Sequence, residues 1–139
     1  MEVLAGSTDV TTYFALSLVA DGTDATGLTI TDIDLQYVRS GVAPAAKADA
    51  TALAATDSAH GDNQAIEIDA TDQPGLYRVD WPDAAFAAGV REVILTVKCA
   101  LVKTSHMRVN LTPVHANIMK VYSVAIDGAG TSADPWGPA

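Results

Sequence analysis

Apolar and polar residues alternate along several short stretches of this chain, the period of a strand that buries one face and wets the other. In residues 13–19, Phe14, Leu16 and Leu18 share a face; in residues 32–38, Ile33, Leu35 and Tyr37 do, with Asp32, Asp34 and Gln36 opposite. Further on, Ile66 and Ile68 alternate with Ala65, Glu67 and Asp69, and Tyr77, Val79 and Trp81 alternate with Arg78 and Asp80. The strongest pair is Val93, Leu95, Val97 and Cys99 followed by Met107, Val109 and Leu111, which predicts a hairpin turning near residues 101–104.

Two stretches break the alternation. Residues 43–58 are rich in alanine, which favours helix, and in Thr and Asp, which do not; the expectation is a weak edge strand plus a loop, with an exposed turn around His60 to Asn63. Residues 81–90 carry helix punctuation, with Pro82 at the start, Asp83 in the first turn and Gly89 just past the end. A helix of one to two turns is predicted there, with Phe86 plugging an open end of the fold. Seven candidate strands separated by Gly, Pro and Asp turns predict an all-β, immunoglobulin-like β-sandwich of about seven antiparallel strands with one short helical turn. It would occupy residues 1–112. Residues 113–139 read as one more strand and an extended C-terminal tail rich in Gly and Pro, and Trp136, Pro135 and Tyr122 are its candidate assembly contacts.

Composition narrows the chemistry. The 139 residues fit one domain with an ordinary core, and no run approaches the roughly 20 apolar residues of a membrane span. The N-terminus lacks the basic-then-apolar order of a secretory signal. Seventeen acids against eight Lys and Arg give a net charge of −9, spread along the chain as a solvated surface with no basic cluster for nucleic acid. The lone Cys99 sits in an apolar strand and reads as packing. His60, His106 and His115 stand far apart, without zinc spacing, and neither a nucleophile elbow nor a P-loop is present. Neither a catalytic residue nor a cofactor is expected. Asp32 and Asp34, converging with Asp69 or Asp72, form the alternative of a calcium site; an outward acidic sheet face is the ordinary outcome.

Residues 69–98 carry a Pro-Gly step, an aromatic alternating strand, a Pro-Asp helical turn ending in Gly, and a hydrophobic strand. Pro74, Gly75, Tyr77, Trp81, Pro82, Asp83, Phe86 and Gly89 fill these places. In this the chain resembles the immunoglobulin-like modules of tailed-bacteriophage virion proteins, of the tail, baseplate and fibre type; residues 27–41 extend the likeness to about 27–112. The resemblance implies a fold motif with a tight Pro-Gly turn, and a structural role in a virion assembled in a bacterial cytoplasm. The implied partners are other virion proteins and further copies of the chain, with no nucleic acid and no membrane. A sandwich with such a tail suits an accessory subunit of the tail or a decoration of the capsid. The alternative is an adhesion module that binds a receptor or glycan through residues 21–27 and 58–63.

Overall fold

The computed structural model describes residues 1–113, 120–121, 124–127 and 137–138. Nine strands build the main body: β1 (Glu2–Leu4), β2 (Thr11–Ala15), β3 (Asp34–Arg39), β4 (Ala48–Asp49), β5 (Thr51–Ala52), β6 (Gln64–Asp69), β7 (Gln73–Asp80), β8 (Glu92–Lys98) and β9 (Ser105–Thr112). They form a five-stranded sheet in the order β1-β9-β8-β3-β4 and a four-stranded sheet in the order β2-β7-β6-β5. The two sheets pack as a β-sandwich. With β2, β3, β6, β7, β8 and β9 read as strands B to G, the B-E-D and C-F-G groupings of an immunoglobulin-like domain are reproduced.

Seven strands pair antiparallel, and β1 and β5 add to the edges in parallel, β1 on β9 and β5 on β6. The parallel β1 had no period to announce it: it is three residues long and only its middle residue, Val3, is half-buried. The ambiguous stretch supplies both remaining edges. β4 pairs with β3, the chain crosses at the fully buried Ala50, and β5 pairs with β6. Small side chains let the backbone pass between the layers there.

The alternating faces meet in one core. Phe14, Leu16, Leu35, Tyr77, Val79, Trp81, Val93, Leu95, Val97 and Val109 are all buried, and β8 and β9 form the expected hairpin. The expected face of β6 is reversed. Ala65 stands opposite Val79 and Glu67 opposite Tyr77, so these two point inward, while Ile66 shares the outer face with Arg78. The alanine leaves room for the large neighbours on β7. Glu67 is tolerated on the inner face because its carboxylate accepts the backbone N–H groups of Gly27 (2.9 Å) and Gly75 (3.1 Å).

The Pro-Gly step is also placed differently. The chain reverses at residues 70–72, where the Asp69 carboxylate accepts the N–H groups of Thr71 and Asp72, and Pro74 and Gly75 already lie inside β7. The register shifts between Glu67 and Asp69, which makes Gly75 part of a bulge instead of a turn. Its φ of +74° suits glycine, and a Cβ there would lie 2.7 Å from the Leu16 carbonyl oxygen. Gly75→Ala is therefore expected to destabilise the domain by about 1–3 kcal/mol, read as a lower denaturation midpoint.

Asp83–Phe86 forms a single 3₁₀ turn instead of an α-helix, with Pro82 before it and Phe86 fully buried, as the plug role requires. Asp83 does not act only on its own turn: its carboxylate accepts the Asp9 N–H across the chain. Gly89 follows with φ +111°. In the C-terminal segment, β10 (Lys120–Val121), β11 (Val124–Asp127) and β12 (Gly137–Pro138) form antiparallel ladders. Tyr122, Pro135 and Trp136, the expected assembly contacts, lie outside the described residues.

Candidate functional site

Alternation places Arg78 and Asp80 on the outer face of the four-stranded sheet, where ordinary strand residues meet water. Here both are buried, and Asp80 is wholly so. The guanidinium donates from Nε to Asp80 Oδ1 (2.9 Å) and from Nη2 to Oδ2 (2.8 Å), the two-pronged geometry that arginine offers a carboxylate. Its remaining donor, Nη1, reaches the carbonyls of Thr56 (2.8 Å) and Ser58 (3.0 Å). Asp80 also accepts the Thr11 hydroxyl (2.7 Å) and the Gly61 N–H (3.2 Å). Burial pushes the Asp80 carboxyl up, but these four donors outweigh it and hold it below the ordinary carboxylate range; the same pair raises Arg78. The cluster thus fastens residues 56–61 over the sheet.

The turn expected at His60 to Asn63 forms at Asp62–Asn63, with Asp62 exposed and Asn63 at φ +58°, but His60 beside it is drawn onto the sandwich. The His60 ring is almost covered, with Nε2 3.3 Å from the Val10 carbonyl and Nδ1 3.3 Å from the Asp9 carboxylate. The other candidate binding loop is fastened as well: the Tyr77 hydroxyl donates to the Ala25 carbonyl (2.9 Å) and accepts the Leu28 N–H (3.2 Å). Burial raises Tyr77, so the phenol stays protonated as a donor.

The acids of the calcium alternative are dispersed. Asp34 is bridged to Asp49 by Lys47 (2.8 and 2.7 Å), and Asp69 caps the β6–β7 reversal. Among the described residues no three His, Cys, Asp or Glu side chains gather in metal-binding geometry. His106 is exposed and shares a hydrogen bond with Thr96 (2.9 Å), and Cys99 is buried with its thiol pushed up by burial.

The two ends of the β8–β9 hairpin carry what remains. At one end lies an open cleft of about 790 Å³, where Ala5, Val90, Leu111 and Pro113 give apolar walls and Glu2 and Arg91 supply charge. Arg39 shapes it by donating to the carbonyls of Ala87 (2.6 Å) and Ala88 (2.9 Å), which hold the 87–91 segment against the sandwich. At the opposite end, the hairpin tip holds Leu101 at 83% exposure, with φ +64°. Val19, also exposed, lies beside it, its N–H donating to the Leu101 carbonyl (2.9 Å). Sequence reading passed over both ends. The available signal was Leu101 itself, an apolar residue in a turn position that favours Gly or Asn.

Comparison with protein-family models, curated proteins and solved structures returned no match for this chain.

Proposed function

We propose that this chain is a non-enzymatic structural protein of a tailed-phage virion, tail- or baseplate-associated or a capsid decoration, that works through protein–protein contacts. The observation that carries this reading is where the ionic and apolar groups go. The charged residues that converge, Arg78 with Asp80 and Lys47 with Asp34 and Asp49, serve to fasten loops and edges. Among the described residues, the large apolar side chains left in water are Val19 and Leu101 at the hairpin tip, Met1, Leu4 and Val42 toward the other end, and Tyr13 on the outer face of β2, surfaces through which neighbours in an assembly can meet. The likeness of residues 69–98 to phage virion modules supplies the setting, with other virion proteins and further copies as partners.

Mass spectrometry of purified particles is expected to find the chain at a copy number tied to a symmetric component. Hundreds of copies would mark capsid decoration; threefold or sixfold numbers would mark tail or baseplate. Deleting residues 129–139 is expected to leave the thermal unfolding of the sandwich unchanged and to lower incorporation into the particle. A chain absent from washed particles overturns the reading.

A further inference from the structure

Leu101 combines two costs. It is the most exposed large apolar residue described, and it holds the left-handed conformation that Gly, Asn and Asp adopt with less strain. The other two non-glycine residues with positive φ are Asp9 and Asn63, the types expected there. The strained tip is fixed in place: Leu18 bridges Val102, the Lys103 N–H donates to the Ser17 carbonyl (2.9 Å), and Val102 is buried. The result is a firm apolar knob of Leu101 and Val19. Strain maintained by its surroundings clusters at functional sites, which makes this exposed apolar tip a candidate contact surface.

The charges around the knob mirror those of the cleft. Asp21 lies two residues after Val19, its carboxylate accepting the N–H and hydroxyl of Thr23, and the Lys103 ammonium lies over Gly22, 3.7 Å from where a Cβ would stand. The cleft at the other end carries Glu2 and Arg91 beside its apolar walls. Each surface thus combines apolar groups with one basic and one acidic residue, Lys103 and Asp21 at the knob, Arg91 and Glu2 at the cleft, so that opposite charges are on offer on both sides of a knob-in-cleft contact. Knob and cleft occupy opposite ends of one rigid hairpin, so a single molecule cannot join its own two surfaces.

We infer that the occupant of the cleft is the Leu101–Val19 knob of a second copy of this chain, giving a head-to-tail contact. Such a heterologous contact leaves one knob and one cleft free in every dimer and propagates into a ring or a filament. The inference deepens the assembly reading of the proposed function and rests on it for its biological setting.

The test uses the full chain in solution by sedimentation velocity, without any particle, so its failure leaves the particle experiment standing. Leu101→Asn removes the knob in a residue suited to positive φ, and Ala88→Arg fills the cleft from an exposed wall position. Each variant alone is expected to weaken self-association by at least about tenfold, the scale of losing an anchor side chain. A mixture of the two is expected to recover dimers and nothing larger, because one brings an intact cleft and the other an intact knob. Wild-type chain that stays monomeric up to about 1 mM overturns the inference. So does association untouched by Leu101→Asn, which would assign the cleft to another occupant, or an Ala88→Arg chain that still dimerises fully, which would mean a knob-to-knob contact.

Discussion

Asp80→Ala is expected to destabilise the domain by about 3–5 kcal/mol, because it leaves the Arg78 guanidinium buried without its carboxylate. The four donors that converge on Asp80 make the loss larger than that of a surface pair. Residues 56–61 lose two anchors together: the Gly61 N–H loses its acceptor, and Arg78 no longer has a fixed geometry in which to hold the Thr56 and Ser58 carbonyls. Proteolysis should then cut the 53–63 segment well below the unfolding temperature, and hydrogen exchange at Gly61 should accelerate. Replacing both charges, Arg78→Met with Asp80→Leu, is expected to recover part of the stability while leaving the loop open to protease. That separation distinguishes an ion pair retained for loop position from one retained for stability.

Acid should act through the same group. The Asp80 carboxyl lies below its ordinary value of 3.8 in the folded chain, so the folded state binds its proton less readily than the unfolded state does. Its contribution is complete above that value and is lost as the pH falls below it. Denaturant unfolding of the wild type is therefore expected to weaken as the pH falls below 3.8, with a shallower slope in Asp80→Asn. An unchanged slope would assign the acid sensitivity to other carboxylates.

What could be read in the sequence was decided by how local each signal is. The alternation in β2, β3, β7, β8 and β9 reflects a burial demand on consecutive residues, and the structure meets it at Phe14, Leu35, Tyr77, Leu95 and Val109. In β6 the alternation contains two equivalent answers, Ile66 with Ile68 or Ala65 with Glu67, and side-chain size favours the first, which the structure reverses. The choice was made by the register opposite β7, where Tyr77 and Trp81 already fill the core and leave room for an alanine. The Pro-Gly step suited a turn, but a tighter cap at Asp69 took the reversal first. Burial of Arg78 and Asp80 needed a loop more than ten residues away to fold over them, which no period encodes. The knob and cleft likewise arise from the two ends of one hairpin, and only Leu101 in its turn carried a local mark.

The other large effect is expected at Trp81, the largest fully buried side chain described. It follows β7 directly, where its N–H donates to the Val10 carbonyl (3.1 Å). Its indole lies 6.2 Å from the Phe14 ring, centre to centre, at a tilt of 53°. The indole Nε1 donates to the Thr12 hydroxyl (2.7 Å), which is itself buried. Trp81→Ala removes both the packing and the donor, and a loss of about 3–5 kcal/mol is expected, enough to unfold a marginal domain at ambient temperature. Trp81→Phe keeps the aromatic contact with Phe14 and should cost less. Thr12→Val leaves the indole N–H without an acceptor, at about 1–3 kcal/mol. Once Trp81 is phenylalanine, the same threonine change should cost much less, because no donor remains to be stranded. Additive losses across that double-mutant cycle, read from denaturation midpoints at constant slope, would show that the hydrogen bond contributes nothing and that Trp81 acts through its volume alone.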